Sequence, residues 1–254
     1  MRALYTAATG MSSRQTQLEN IANNLANSTT TGFKKTRETF ADLIYQQIGG
    51  TPNGELMQLG SGTRVTSLSR DFRNGSTQIT SNPTDLMIDG DGFFSATTPS
   101  GETLYTRDGH FRVDLEGNLT TEEGYIVQPG FQIPQGGTLM VGSDGTVSAL
   151  IKNENGSETV SLGQFELTRF PNPAALMAAG GNFYRATTAA GDPQSSIPQT
   201  EGTGTLVQYA LEGSNVDVAE ELITMISAQR SYELNSKVIQ TADEMMQIAA
   251  NLKR

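Results

Sequence analysis

Cysteine is absent from all 254 positions, which excludes disulfides, thiolate metal sites and cysteine nucleophiles. Histidine occurs once, at position 110, so a Ser-His-Asp triad would have to be built on that residue. Long apolar runs are missing too: no stretch approaches the roughly 18 residues needed to cross a bilayer. The segment Arg2-Ala3-Leu4-Tyr5 turns polar by Thr9, too short an apolar run for a cleaved secretory signal, so export without one is expected. Basic residues are outnumbered, 17 Lys and Arg against 27 Asp and Glu, for a net charge of −10 and a pI near 4.6. Phosphate contacts demand clustered cations, so nucleic acid is not an expected partner. Within residues 1–45 five basic side chains face three acidic ones, which leaves the acidity further along the chain.

What is abundant is small and polar. Glycine occurs 27 times, with many Ser and Thr, while hydrophobic residues make up 36% and charged ones 17%. That profile suits turn-rich β structure. Asn74-Gly75, Ser100-Gly101, Asn118, Asp144-Gly145 and Asn155-Gly156 punctuate short alternating runs such as 111–115. A weak internal repeat sets Phe111, Val113, Gly117 and Leu119 against Leu139, Val141, Gly145 and Val147, which predicts repeated strand–turn–strand units.

Both ends read differently. Over residues 1–27, Leu4, Ala7, Met11, Leu18, Ile21 and Leu25 form a heptad-like stripe, with Arg14 at a seam position and Gly10 costing about 1 kcal/mol of helix stability relative to Ala. From Ser214 to Arg254, Val218, Met225, Tyr232, Ile239 and Met246 recur every seventh residue, with Leu222 beside them. A second line runs through Val238, Ala242, Met245, Ala249 and Leu252. Ser214 with Asp217 predicts a capped start, and a helix over that span would be roughly 60 Å long. Such stripes, one at each extreme of the chain, predict an interface with partners rather than a private core. The polar seam residues Arg14, Gln229 and Ser236 are expected to fix register.

The expected organisation is α+β: long N- and C-terminal helices pairing as a coiled coil, with a central, mostly antiparallel β domain. Residues 1–45 form the N-terminal helix and following segment, 46–70 a linker or long hairpin, 71–213 the β-rich outer domain and 214–254 the C-terminal helix. Residues 186–204, with Pro193 and Pro198, read as an exposed loop.

Candidate chemistry has plainer readings. His110 follows Asp108-Gly109 in a hairpin turn, where a lone histidine is usually a surface residue. Asp89-Gly90-Asp91-Gly92 fails as a calcium loop, because Ser100 stands where the bidentate acid belongs. It fails as a dinucleotide fingerprint at Ser95. A tight turn delivering Phe93 and Phe94 into a core accounts for it. Glu122-Glu123 reads as a turn pair and Glu220-Glu221 as helix-start charges, rather than as acid–base catalysts. No catalytic, metal or cofactor-binding residue is expected.

Three blocks carry a resemblance. Residues 20–35 (Asn20-Ile21-Ala22-Asn23-Asn24 through Gly32-Phe33-Lys34-Lys35), the segments 85–94 and 105–111, and residues 214–237 (Ser214-Asn215-Val216-Asp217 through Asn235-Ser236-Lys237) resemble the signatures of the flagellar rod and hook proteins. Within that family, the length and central block are most similar to the distal-rod members. The resemblance implies a structural, non-enzymatic subunit. Its paired terminal helices would line a hollow drive shaft that transmits torque through the cell envelope, with the β domain outside. It also implies self-polymerisation, neighbouring rod and hook proteins, envelope bushing-ring proteins and the flagellar type III export apparatus as partners, and a periplasm-spanning basal-body location. Leu4, Met11, Leu18, Ile21, Leu25, Val218, Leu222, Met225, Tyr232, Ile239, Met245, Met246 and Leu252 are the expected assembly interface. Other readings are another axial subunit, a cell-wall-active enzyme, which would need two positioned carboxylates, or a secreted β-rich adhesin.

Overall fold

The computed structural model describes residues 2–50, 56–153 and 156–252. The turn expected at Asn155-Gly156 and the terminal Lys253-Arg254 pair lie wholly or partly outside the described residues. Contacts divide the chain into two units, one of residues 1–26, 36–70 and 216–254, the other of residues 27–35 and 71–215.

In the first unit, α1 (Arg2–Ala26) is followed by β1 (Thr36–Asp42), β2 (Gln46–Gly50), β3 (Leu56–Leu59) and β4 (Thr63–Arg70), and the unit closes with α2 (Val218–Leu252). β1 pairs antiparallel with β4, Thr36 opposite Arg70, and β2 with β3, Gln46 opposite Leu59. Residues 36–70 are thus one long antiparallel excursion, of which 46–70 is the distal part and the returning strand.

The helix α1 packs on β4, β1 and α2. Close approach is made possible by two glycines. A Cβ on Gly62, whose φ is +121°, would stand 2.2 Å from the Thr9 hydroxyl. A Cβ on Gly10 would stand 2.9 Å from Asn235 Nδ2, so the helix-weakening residue is where α2 comes nearest. Arg14 takes no seam position toward α2: its guanidinium lies 5.4 Å over the Phe40 ring of β1 and donates to Gln17 Oε1 at 2.7 Å.

The start of α2 is four residues later than expected. Asp217 caps it, its Oδ1 accepting from Ala219 N at 2.9 Å and Glu220 N at 3.2 Å. Glu220 and Glu221 complete an acidic first turn that suits the positive end of the helix dipole. Residues 214 and 215 are held out of the helix because Asn215 is committed elsewhere: its Oδ1 accepts from Lys35 N at 2.8 Å and its Nδ2 donates to the Asp71 carbonyl at 2.7 Å. The helix has 35 residues, or about 52 Å at 1.5 Å per residue.

The second unit holds β5 (Thr77–Ile79), β6 (Leu86–Asp89), β7 (Phe94–Thr97), β8 (Thr103–Thr106), β9 (Arg112–Val113), β10 (Leu119–Thr120) and β11 (Ile126–Val127). There follow β12 (Gly137–Val141), β13 (Thr146–Asn153), β14 (Gly156–Gln164), β15 (Leu167–Arg169), β16 (Met177–Gly180), β17 (Phe183–Arg185), β18 (Gln194–Ser196), β19 (Thr205–Gln208) and β20 (Ala210–Glu212). A seven-stranded sheet has the order β16-β17-β8-β7-β11-β10-β9, a three-stranded one β12-β13-β14, and β15-β18, β19-β6 and β20-β5 form pairs. Every pairing is antiparallel. Together the two units make an α+β fold.

The internal repeat is one turn used several times. In segments 114–117 and 142–145 the fourth residue is a glycine at φ +85° and +84°, and its N–H donates to the first residue's carbonyl. Segments 98–101 and 121–124 repeat this geometry, a type I turn closed by a left-handed residue. The repeated positions Phe111, Leu119, Leu139 and Val147 share one buried cluster with Leu86, Phe94 and Phe165. The Asp89–Gly92 turn sends its aromatics to two places: Phe94 to that cluster, Phe93 to another with Tyr105, Phe170 and Tyr184. Residues 186–204 depart from the exposed-loop expectation. They contain β18, paired with β15, and bury Ala190 and Pro198, because alternation too short to register in the sequence still completes a two-stranded ladder.

Candidate assembly interface

The expected interface residues divide by the face they occupy. On α1, Ile21 is buried and Leu4, Met11, Leu18 and Leu25 are half-buried. On α2, burial recurs at Glu221, Met225, Ala228, Tyr232, Asn235, Ile239 and Ala242, in steps of four and three. That line faces α1, since Asn235 meets Gly10 and Glu221 Oε2 accepts from Asn24 Nδ2 at 3.5 Å. These two contacts, equally spaced on both helices, set α1 and α2 antiparallel. Met246 continues the inner line and is 40% exposed, while Val218 and Leu222 flank it near the helix start and are each 43% exposed. Met245 lies on the other side, 65% exposed. The side chain of Leu252 lies outside the described residues.

The outer side of α2 carries a stripe of which the sequence lines held only Val238 and Met245. Ile223, Ile226, Leu234, Val238, Met245 and Ile248 are all exposed, at 45–70% of their full surface. At 100° per residue they fall within about one third of the helix circumference, opposite the inner line, interspersed with Ser227, Arg230, Lys237, Thr241 and, at the edge, Glu244. The signal was available: a solvent-facing side has no need for three isoleucines.

The Asn-rich end of α1 works as a clip. Asn24, 2% exposed, accepts from Thr36 N and donates to Thr36 O, both at 3.0 Å. Asn20 Nδ2 donates to the same carbonyl at 2.8 Å and to Glu38 Oε2. A side-chain amide that pairs with a buried peptide group replaces the ladder bonds a strand end lacks.

Within the second unit two of the resembling blocks, through Lys34 and Arg107, meet at a buried charge cluster around Glu212, two residues before the third block. Lys34 Nζ donates to Glu212 Oε1 at 2.5 Å and to Arg73 O at 2.8 Å, and Arg107 Nη1 approaches Glu212 Oε2 at 3.5 Å. Gly75 N donates to Glu212 Oε1 at 2.9 Å. Burial pushes both the Lys34 and the Arg107 pKa down, and the Glu212 carboxylate opposes that shift at both. Sequence reasoning did not pair these residues, which lie far apart along the chain. The only hint was a cation inside each of the first two blocks, Lys34 and Arg107.

His110 lies at the surface, Nδ1 3.3 Å from Glu122 Oε1 and Nε2 4.0 Å from Asp85 Oδ1, an ion-pair setting. Among the described residues no three His, Asp or Glu side chains are grouped to ligate a metal, and no helix is long and apolar enough to cross a membrane.

Known proteins match along the whole chain. The family described as the flagella basal body rod protein matches residues 4–34, the flagellar hook protein FlgE/F/G D1 domain residues 87–149, and the C-terminal domain of flagellar basal body rod FlgEFG proteins residues 207–252. The flagellar basal-body rod protein FlgG of Borreliella burgdorferi is 46% identical, over all of this chain and 99% of its own. The protein of that name from Caulobacter vibrioides is 41% identical and that from Bacillus subtilis 39%, each over the full length of both chains. With relatives 39–46% identical and matching from end to end, the chain belongs to the family of flagellar basal-body rod proteins.

Proposed function

We propose that this chain polymerises through the outward faces of its terminal helices into the hollow distal rod of the flagellum, the structural role its family membership gives it. Residues 1–45 and 214–254 contribute the tube's core, with the helices paired as a coiled coil, and residues 71–213 its outer layer. The carrying observation is the outer stripe of α2: six large apolar side chains left exposed on a helix whose other face is already covered. Burying one such side chain gains about 1.5–3 kcal/mol, and a stripe some 37 Å long at 1.5 Å per residue supplies several in register. Val218 and Leu222, partly exposed near the helix start, extend the contact, and Leu4, Met11, Leu18 and Leu25, half-buried in one chain, close over in the polymer. Gln229, exposed beside the stripe, serves to fix register.

A helical polymer needs a contact that does not close on itself. Other rod and hook proteins continue the same packing at either end of the segment, envelope bushing-ring proteins surround it, and the flagellar type III export apparatus delivers the subunits. A chain without cysteine passes that route with no disulfide to obstruct it.

Sedimentation of the full chain across a concentration series, with negative-stain electron microscopy, tests the reading. Tubes or large oligomers are expected, and Leu234→Lys, a change at an exposed position, is expected to abolish them while leaving the circular-dichroism melt unchanged. Assembly by Leu234→Lys at the unaltered concentration would remove the stripe from the interface.

A further inference from the structure

The second unit carries a knob and a hole on different parts of its surface. The knob is Leu115, 96% exposed at the tip of the turn between β9 and β10. The tip is braced: Gly117 N donates to Asp114 O at 2.9 Å, Asp114 N to Asn118 O at 2.9 Å, and Ile133 N to Gly117 O at 2.7 Å. Gly117, at φ +85°, allows that geometry, and a Cβ there would stand 2.5 Å from Ile133 O. A leucine held rigidly in water loses little further freedom on docking, so more of its burial energy survives as affinity. Its neighbours Asp114 and Glu116 are both exposed acids.

The hole is a cleft of about 190 Å³ walled by Phe72, Phe93, Phe170, Pro171 and Pro173. Apolar cavities of about 150 Å³ accommodate a benzene-sized group, so a leucine side chain fits. Of the charged groups at the cleft, Arg107 is held by the buried Glu212, whereas Arg169 stands beside Asp91 and donates from Nη1 to the Glu201 carbonyl at 2.6 Å. Arg169 Nη2 is 3.9 Å from Asp91 Oδ2, too long for a hydrogen bond, and the Arg169 side chain is 38% exposed. It is placed to receive a second carboxylate.

Knob and hole do not satisfy each other within one chain, since Leu115 stands in solvent. β9 is the edge strand of the seven-stranded sheet, four positions from β8, whose Tyr105 packs on the cleft wall Phe170. At roughly 4.8 Å per strand that is about 19 Å along the sheet. Among the described residues no other exposed large apolar side chain stands between two acids. Ile79, 88% exposed, is flanked by the uncharged Gln78 and Thr80.

We infer that Leu115 of one copy inserts into the Phe72–Phe93–Phe170 cleft of a second copy, with Asp114 or Glu116 meeting Arg169, as a head-to-tail contact of the outer layer. Two unlike patches on one molecule make a heterologous contact, which extends rather than closes. The inference rests on the self-assembly reading, but it uses residues remote in sequence from the helical stripe.

A chain without cysteine makes the test clean. Leu115→Cys and Pro171→Cys, both at exposed positions, are introduced together and separately into the full chain and oxidised in pelleted assemblies. A ladder of disulfide-linked trimers and larger species from the double variant, with neither single variant forming more than dimers, is the expected result. Leu115→Glu, which leaves the fold intact, is expected to slow assembly at least tenfold, and Leu115→Met to restore it. Assemblies of normal appearance with no ladder would overturn the knob-in-hole contact and leave the helix-mediated polymer standing. Cross-linked dimers alone from the double variant would overturn its head-to-tail character. Failure of the unaltered chain to assemble would remove the self-assembly reading, and this inference with it.

Discussion

At the level of single residues, the centre of the β unit is electrostatic. Glu212 is fully buried against Lys34 and Arg107, and a buried pair that loses one partner costs about 3–5 kcal/mol. Glu212→Gln leaves two buried cations without a counter-ion, so the unit's melting temperature is expected to fall by ten degrees or more in a calorimetric scan, with the terminal helices' signal less affected. An unchanged scan would mean that solvent reaches the cluster. Asp108 titrates the other way. Burial raises its carboxyl pKa, while His110 N and the Thr31 hydroxyl donate to it at 3.1 and 3.2 Å. An acid with a raised pKa in the fold contributes stability that is present below its unfolded value and lost as pH rises through its folded value. Asp108→Asn removes the charge, keeps the bond from His110 N on Oδ1 and lets Nδ2 donate to the Thr31 hydroxyl instead of accepting from it, so it is expected to gain on the native protein as pH goes from acidic to neutral, read as the difference between two thermal melts. The sequence announced these blocks by resemblance, yet it gave no reason for Lys34, Arg107 or Glu212 to meet. A pairing across 178 positions is a product of the whole topology.

Among the elements, packing between the helices depends on what is small. Gly10→Ala improves helix propensity by about 1 kcal/mol but sets a methyl 2.9 Å from the Asn235 amide. The amide can rotate, so Ala is expected to be near neutral in a urea melt, whereas Gly10→Val should separate the helices and lower the midpoint. Asn24→Ala leaves the Thr36 N–H without its side-chain acceptor, at about 1–3 kcal/mol for a buried group, while Asn20 still donates to the Thr36 carbonyl. Its expected signature is faster hydrogen exchange at the start of β1. Periodicity made both helices legible, and turn glycines made the repeated hairpins legible, because both patterns are local. The Ser214 start failed because Asn215 is recruited by a distant strand end. Residues 186–204 failed because a three-residue strand is too short to alternate visibly. Heptad counting on α2 found the line that α1 covers and caught only Val238 and Met245 of the opposite one, whose isoleucines follow a drifting 3.6-residue period.

For the whole molecule, the chain passes back and forth between its two units, so each is built from segments remote in sequence. Residues 27–35 leave the helical unit to supply Lys34 to the β unit, and 36–70 return. No contiguous fragment therefore reproduces either unit, and point substitutions in the full chain are the sounder probes. The α+β architecture was legible as a sum of local patterns. The weave was not, because it is written in burial rather than in periodicity. The consequence for function is that a single chain covers one face of α2 and presents the other. On the proposed reading, assembly needs only to cover what is presented.

Thiol accessibility tests that most directly. Cysteines placed one at a time by Ile223→Cys, Leu234→Cys and Met245→Cys, in a chain that otherwise has none, are labelled in the dispersed protein and in its assemblies. All three should react freely when dispersed and at least tenfold more slowly once assembled. Equal labelling rates in the two states would show that the outer face of α2 stays in solvent, and the polymer would have to be held by something else.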